Sequence, residues 1–446
     1  MALAAASRDA SVDSVSNASA DAGRIFLYFA PLTLLVYLVS PSSYFLDITT
    51  SYMLKNQLHA TATQVSIFRL LTAVPIYFSF VFGLTRDLWN PLRLRDRGYF
   101  IIFAAAAAAV FAWMALTQLT WWGLFGGMLL VMLSFRFILA AHQGLIALIG
   151  QERLMSGRLS AVWQILQNLP VAAGAFASGW VAVNLPPSRT FMIAAALSLA
   201  IAALGFWKPR AVFNHTYDRP QAKGSDLVGD LRRLLKHRAV WPPVLIMLMF
   251  QFAPGANTPL QYYLSNTLHA SDEIYGFYNA IFAASFIPMF FAYGWLCKHF
   301  SLKTLLWWGM ALTVPQMIPL ALIHSGTQAL WLAVPIGMMG GIAVPAIYDL
   351  SIRSCPPGLQ GTLMMMVASV YELSYRGGDL LGSRIYMASP QHGFLYCVIA
   401  TTVVYALILP VLLLIPKAVI ATADGEAGSA IEGEMTAGTG NANAVA

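Results

Sequence analysis

The chain has 446 residues, of which 58% are hydrophobic and only 10% are charged, and its formal net charge is +7. Soluble domains carry about 25% charged residues, so this composition excludes an ordinary soluble protein and indicates an integral membrane protein. Apolar segments of roughly 20 residues recur along the chain, and each can cross a bilayer as a helix. Because lipid offers no hydrogen-bond partners to the backbone, we expect a bundle of α-helices, in which the backbone groups bond to one another.

Twelve apolar spans are predicted in chain order, and we number them 1 to 12. They cover residues 25–53, 62–84, 99–117, 121–150, 157–184, 188–207, 241–267, 273–297, 303–324, 328–352, 360–387 and 393–416. The polar N-terminal residues 1–23 and the Ala, Gly and Glu-rich residues 418–446 are predicted to be disordered tails. The basic segment 208–239 is predicted to be a linker, with an amphipathic surface helix from Leu227 to His237.

A short repeat relates the two sides of this linker. The stretch YMLKNQLHAT at the end of span 1 matches YYLSNTLHAS at the end of span 7 in its Tyr, Leu, Asn, Leu, His and Ala positions. The motif is neither wholly apolar nor of low complexity, and equivalent positions in two halves are typical of transporter repeats. The sequence therefore predicts two pseudo-symmetric six-helix bundles, residues 24–207 and 240–417.

The distribution of basic residues predicts the orientation. If the N-terminus is inside, the inner segments collect nearly all Lys and Arg, including the eight of the linker, whereas the outer loops hold only Lys55, Arg189 and Arg384. Lys and Arg are retained on the cytoplasmic side. We therefore expect both termini and the linker to be cytoplasmic, and the linker's basicity belongs to this general bias and does not indicate a nucleic-acid site.

Several motifs resemble those of a known transporter family. They are YMLKNQLHATATQV, FGLTRDLWNPLRLRDRGYF after span 2, the Thr258-Pro259 pair in span 7, and CPPGLQGTLMMMVASVYELS leading into span 11. With the two six-helix halves, they resemble the folate-biopterin transporters of the major facilitator superfamily. The resemblance implies an all-helical fold of twelve transmembrane helices and transport of a folate-like or pteridine-like anion. The chain departs from that family where the stretch AAHQGLIALIGQE of span 4 has no acid before Glu152, and where Gln360 stands in place of an acid.

Ionisable side chains inside a bilayer are expensive, at roughly 2.5 to 3.5 kcal/mol each, so those retained are functional candidates. Glu372, Arg376 and Asp379 are spaced i, i+4 and i+7 on span 11 and share one face. One interpretation is an arginine that anchors substrate between carboxylates that exchange a proton. The alternative is a static ion-pair ladder.

Polar residues on other spans complete the predicted site. Arg136 in span 4 is either an anion ligand or the partner of a distant acid such as Asp47 or Glu372. The predicted substrate-binding residues are Tyr44, Asp47, Arg136, Gln143, Gln164, Asn168, Gln251, Asn257, Gln261 and Arg376, and the predicted proton-coupling residues are Glu372, Asp379 and Asp47. Polar groups satisfied between packed helices remain the alternative for spans 1 and 7.

A second group of residues is predicted to form a gate at the inner membrane surface. Asp87 follows span 2 and is placed either to pair with a cation or to cap the start of span 11 near Gly358 and Gly361, where the helix dipole favours a carboxylate. Arg86, Arg95 and Arg97 are assigned to the same gate, although retention of basic residues in inner loops also explains them.

The sequence contains no catalytic motif, no metal-binding pattern and no nucleotide-binding loop, so we expect neither an enzyme nor a cofactor. We predict a monomeric secondary transporter in the inner membrane of a bacterium that moves a small organic anion by alternating access, driven by protons. An exporter or a peptidoglycan-fragment permease of the same superfamily is the first alternative. A membrane sensor or a membrane-embedded enzyme is the second.

Overall fold

The computed structural model describes residues 2–213, 227–255, 257–389 and 391–426. Within these ranges every regular element is a helix or a helical turn. In the first half the α-helices are Ala2–Val39, Tyr44–Tyr52, Ala62–Thr72, Val74–Tyr77, Ser79–Leu88, Asp96–Leu116, Trp121–Glu152, Ser156–Asn184 and Pro187–Phe206, with a π-helical turn at Met53–Gln57 and a 3-10 turn at Pro91–Arg93.

The linker and the second half continue the same architecture. Helices Arg210–Phe213 and Leu227–Lys236 and the 3-10 turn Arg238–Val240 flank the linker residues 214–226, which lie outside the described ranges. The second half has α-helices Trp241–Gln251, Thr258–Tyr262, Asp272–Leu296, Leu302–Thr313, Gly326–Gly340, Ala343–Arg353, Gln360–Ala388, Gly393–Val411 and Lys417–Ile420, a π-helical turn at Tyr263–Thr267, and 3-10 turns at Ile318–Leu322 and Leu412–Leu414.

All twelve predicted spans are helical, which confirms the fold class. In the described part of the chain, nine helical segments are long and apolar enough to cross a membrane. The predicted spans outside that group are 5, 7 and 11. Span 7 is broken between Gln251 and Thr258, and spans 5 and 11 carry the amide and charged side chains predicted for the site. The break in span 7 and the polar side chains of spans 5 and 11 therefore account for their absence from that group.

The repeated motif has the same backbone geometry in both halves. Spans 1 and 7 each end in a π-helical turn followed by a histidine with positive φ, 48° at His59 and 51° at His269. The amide of Ala60 donates to the Leu54 carbonyl at 2.8 Å, and Ala270 donates to Leu264 at 2.9 Å. Such turns are rare and often functional, so their duplication supports the pseudo-symmetry predicted from sequence.

Parts of both tails for which disorder is predicted have regular structure. The first helix begins at Ala2, and the high helix propensity of its alanines accounts for a helical backbone there. At the other end, helix Lys417–Ile420 and residues 421–426 pack against the bundle, with Asp424 only 7% exposed. Residues 427–446 lie outside the described ranges.

The two halves are joined on one side of the bundle. We call the side that holds Asp87, Ser156 and Gln360 the linker face, and the side that holds His59 and His269 the far face. In the described chain the hydrogen bond between the halves that lies deepest from the linker face runs from the Phe80 amide to Ser369 Oγ at 3.2 Å. Phe80 and Ser369 are about 12 and 14 Å from their helix ends at a rise of 1.5 Å per residue. The linker face is therefore closed.

Candidate functional site

Tyr37 of span 1 organises a polar cluster in the first half. Its hydroxyl accepts the indole N–H of Trp163 at 2.9 Å and the Gln143 amide at 3.4 Å. The Trp163 ring lies 4.6 Å from the ring of Tyr348, which belongs to span 10 in the second half. Trp163 is buried. This aromatic contact therefore joins the halves and separates the cluster from the linker face.

Arg136 of span 4 lies in the same region and is only 6% exposed. Its Nε has no hydrogen-bond partner among the described residues. Glu372 of span 11 is the acidic group that acts electrostatically on it. A buried cation with an unsatisfied donor is unfavourable unless a ligand or water completes it. Arg136 therefore has the properties expected of an anion ligand.

Other unsatisfied polar atoms lie on spans 4 and 5. In the described part of the chain they include His142 Nδ1, Gln164 Nε2 and Gln167 Oε1. His142 is fully buried, and its Nε2 lies 2.8 Å from Thr33 Oγ1. Asn168 is occupied locally, because its side chain donates to the Gln164 carbonyl at 2.9 Å. Gln164 and Gln143 thus stay with Arg136 as substrate candidates, whereas Asn168 is held by its own helix.

The three charged residues of span 11 do not form the ion-pair ladder considered above. No N to O distance of 4.0 Å or less joins Arg376 to Glu372 or Asp379 among the described residues. Arg376 is exposed and its guanidinium lies 5.8 Å from the ring centre of Tyr375. Glu372 is partly buried and acts electrostatically on Arg136 across the interface between the halves.

Asp379 has a structural position. Its carboxylate accepts the amide of Thr258 at 2.8 Å and the Thr258 hydroxyl at 2.9 Å, which caps the helix Thr258–Tyr262 of span 7. Beside it, the Tyr375 hydroxyl donates to Asn257 Oδ1 at 3.1 Å. These contacts tie spans 7 and 11 together within the second half, so Asp379 and Asn257 are satisfied without substrate.

The remaining predicted substrate residues have other contacts or positions. Asp47 pairs with Arg69 of span 2 at 2.9 Å, and Arg69 also donates to Ser51 at 2.8 Å, so this group joins spans 1 and 2. Gln251 ends the first helix of span 7 and Gln261 lies in the second, and both are partly buried. The side chain of Tyr44 lies outside the described part of the structure.

Asp87 occupies the position predicted for it. Its carboxylate accepts the amides of Gly361 at 3.1 Å and Thr362 at 2.7 Å, and the Thr362 hydroxyl at 2.6 Å. These amides belong to the first turn of span 11, where backbone donors are unpaired and the dipole favours a carboxylate. The contact links the first half to the second at the linker face.

The predicted gate arginines have different partners. Arg86 forms a bidentate pair with Asp96 at 2.5 and 2.6 Å and also donates to Asp87 at 2.8 Å, so it orients the Asp87 carboxylate. Arg97 instead donates to the carbonyls of Gly205 and Phe206, where it caps the end of span 6 within the first half. Arg95 has positive φ, and its amide donates to the Asn90 side chain at 2.6 Å.

The linker face holds a second charged cluster that sequence analysis missed. Asp349 of span 10 is fully buried and binds Arg353 at 2.8 Å and the Tyr293 hydroxyl at 2.9 Å. Asp424 of the C-terminal segment binds Arg158 at 2.6 Å. The rule that buried ionisable residues in a span are functional candidates could have identified Asp349, whereas the composition around Asp424 gave no signal.

Comparison with known proteins agrees with this architecture. The family model for the Major Facilitator Superfamily matches residues 32–375. A curated relative, the folate-biopterin transporter of Synechocystis sp., is 22% identical over 391 residues, which cover 83% of this chain and 78% of that protein.

Two solved structures share the fold. The transporter FucP in the outward conformation superposes with a TM-score of 0.65 at 16% sequence identity, covering 87% of this chain and 98% of that chain. The human organic anion transporter MFSD10 (TETRAN) superposes with a TM-score of 0.59 at 15% identity, covering 87% and 99% respectively.

Proposed function

Because the chain belongs to the major facilitator superfamily, we propose that this membrane transporter is a secondary active carrier of a small organic anion, coupled to protons. The observation that carries the proposal is Arg136, a buried cation near the interface of the halves whose Nε has no hydrogen-bond partner among the described residues. The unsatisfied amide of Gln164 adds a neutral hydrogen-bond donor on the next span. Together they favour a carboxylate-bearing substrate with polar groups.

Glu372 is the best candidate for proton coupling. It acts on Arg136 from the opposite half, and its carboxylate is partly buried. An anion bound at Arg136 would place a second negative charge near Glu372, and like charges disfavour two ionised forms at one site. Binding of the anion would therefore favour protonation of Glu372, and this links transport of the anion to transport of a proton.

The asymmetry of the contacts between the halves supports alternating access. The hydrogen bonds between described residues of the two halves lie toward the linker face, as Asp87 to Gly361 and Gln151 to Gln360 illustrate. The concentration of Lys and Arg on that face supports a cytoplasmic location under the positive-inside rule. We infer that this state opens to the outside of the inner membrane, and that rocking of the two bundles would expose Arg136 to the cytoplasm.

The identity of the cargo follows only in part from the comparisons. A relative named as a folate-biopterin transporter and the family-like motifs around Asp87 favour a pteridine-like or folate-like anion. We expect thermal stabilisation of the purified protein by a ligand from a panel of folates, pterins and aromatic carboxylic acids at two pH values, because a ligand that binds the folded state raises its melting temperature by mass action.

Replacement of Arg136 tests the anion site. Arg136→Gln should weaken binding of the stabilising ligand by at least about tenfold, since a hydrogen bond to a charged group contributes about 1.5 to 3 kcal/mol. Arg136→Lys should retain part of the affinity for this ligand. Arg189→Gln is the matched control, because Arg189 is exposed at the start of span 6 and its loss removes the same charge. Unchanged affinity in Arg136→Gln would refute the proposal.

Reconstitution separates transport from the other predicted classes. Proteoliposomes should accumulate the ligand when an inward proton gradient is imposed and lose it on addition of an uncoupler. Conversion of the ligand without accumulation would indicate an enzyme instead.

A further inference from the structure

Spans 5 and 11 begin in the same way. Span 5 starts at Ser156 and span 11 at Gln360, and the second residue of each helix is a glycine, Gly157 and Gly361. In span 11 the Gly361 amide donates to the Asp87 carboxylate. Pseudo-symmetry therefore predicts that a second gate carboxylate accepts the Gly157 amide at the start of span 5.

The carboxylate at span 5 comes from the C-terminal segment. The Gly157 amide donates to Asp424 Oδ1 at 2.9 Å, and Arg158 Nε donates to Asp424 Oδ2 at 2.6 Å. The side chain of Asp424 is 0% exposed. Asp424 thus binds the first turn of span 5 as Asp87 binds the first turn of span 11.

The sequence after span 8 explains why this carboxylate is supplied from elsewhere. After span 8, the stretch GWLCK at residues 294–298 is a weaker match to GLTRD at residues 83–87 after span 2, so Gly294 corresponds to Gly83 and Lys298 corresponds to Asp87. A lysine ammonium donates hydrogen bonds and cannot accept one from the span 5 amide. The second half therefore has no acceptor at the position that serves the first half.

The C-terminal segment is attached to the second half by its backbone. The Asp424 amide donates to the Cys297 carbonyl at 2.8 Å. The Thr422 carbonyl accepts Arg353 Nη1 at 2.9 Å and the Leu302 amide at 3.3 Å. The segment can therefore move with the second half, while the Asp424 side chain reaches across to the first.

We propose that Asp424 is a positioning residue of the transport cycle, the second gate carboxylate, which holds span 5 against the second half while the linker face is closed. Asp87 and Asp424 then form a reciprocal pair, each carried by one half and binding the helix start of the other. This inference rests on the proposed function, because it takes alternating access as the motion that breaks the contact.

The electrostatics indicate which property of Asp424 matters. Burial raises the pKa of its carboxyl, the neighbouring Asp349 adds to this, and Arg158 and the Gly157 amide oppose it. The unfavourable burial of charge thus offsets much of the attraction to Arg158. We expect the two accepted hydrogen bonds, more than the charge, to hold the contact.

Cys355 is a native reporter of the gate. It is 4% exposed, its carbonyl accepts the Gln151 side chain across the halves at 2.8 Å, and burial raises the pKa of its thiol. The chain has three cysteines, so Cys297→Ser with Cys397→Ser leaves Cys355 alone. In this background Asp424→Ala should accelerate maleimide labelling of Cys355 roughly tenfold, as expected for loss of hydrogen bonds to a charged group.

Other variants of the C-terminal segment serve as controls for Asp424→Ala. Asp424→Asn keeps one acceptor and should give a smaller increase, which also covers a failure of Asp424→Ala to fold. Glu426→Gln removes an exposed charge of the same segment and should match the parent. A chain ending after Ile420 should behave as Asp424→Ala does, and one ending after Glu426 should behave as the parent does.

Cys297 distinguishes gate opening from local exposure. It lies directly against the C-terminal segment, so detachment of the segment alone would expose it. With Cys355 and Cys397 replaced by Ser, faster labelling of Cys297 without faster labelling of Cys355 would overturn the proposal, as would unchanged rates at both. The assay needs no substrate, so failure to find an anion that is transported would refute the proposed function and leave this result standing.

Discussion

Asp87 and Gly361 meet across the interface of the two halves, where the Gly361 amide donates to the Asp87 carboxylate at 3.1 Å. Gly83, one turn before Asp87, packs directly beneath this contact. A Cβ built on Gly83 would lie 2.3 Å from the Gly361 carbonyl oxygen, closer than real contacts allow. The contact between Asp87 and Gly361 therefore depends on the absence of a side chain at Gly83.

Gly83→Ala should force the halves apart at the linker face. We expect a lower melting temperature and faster maleimide labelling of Cys355, because overpacking of this kind costs about 1 to 3 kcal/mol. Gly126→Ala is the control, since a Cβ there meets nothing within 4 Å and should leave both measurements unchanged. Parental stability and labelling in Gly83→Ala would contradict the close approach of spans 2 and 11.

Glu372→Gln should separate binding from proton coupling. The amide keeps the size of the side chain but cannot exchange a proton, so we expect the ligand to bind and to exchange across the membrane without net accumulation. Measurement of counterflow and of gradient-driven uptake in the same proteoliposomes checks this. Full gradient-driven uptake by Glu372→Gln would exclude Glu372 as the coupling residue.

The fold was predictable because lipid imposes simple rules. Apolar length located the predicted spans, nine of which are long and apolar enough in the described chain to cross a membrane, and the repeat that contains His59 and His269 indicated the two halves. Composition did not predict the ordered position of Asp424, because that position depends on long-range contacts to Gly157 and Cys297 that no local pattern encodes.

The candidate site was predictable in part for the same reason. The penalty for charge in a bilayer identified Arg136 and Glu372, and helix-dipole reasoning placed Asp87 at the start of span 11. Helical spacing put Asp379 on the face of Glu372, but it could not show that Thr258 of another span satisfies that carboxylate. Partners that come from distant spans decide which charged residues are free to act.

Asp379→Asn should affect stability rather than coupling. The amide retains one of the two hydrogen bonds to Thr258, so we expect a loss of about 1 kcal/mol and a modestly lower melting temperature. Gradient-driven uptake should persist, in contrast to Glu372→Gln. If Asp379→Asn instead abolished accumulation while exchange remained, the carboxylate would be a coupling residue as its spacing on span 11 first suggested.

The positive φ of His59 and His269 gives a paired test of the repeat. Both side chains are exposed, so substitution removes little packing. Glycine adopts this conformation readily and His59→Gly should be near neutral, whereas His59→Val should lower stability by roughly 1 to 2 kcal/mol, because a β-branched residue is strained there. The same contrast is expected at His269. Thermal unfolding measures it.

The control for these substitutions is Gln57→Val, an exposed position in the preceding π-helical turn that adds the same side chain without positive φ. If His59→Val and Gln57→Val were equally stable, the strained turn would not constrain the end of span 1. A loss at both histidines, and not at Gln57, would show that each half ends its first helix in a fixed, strained turn. Such a turn would allow spans 1 and 7 to move as rigid bodies when the far face closes.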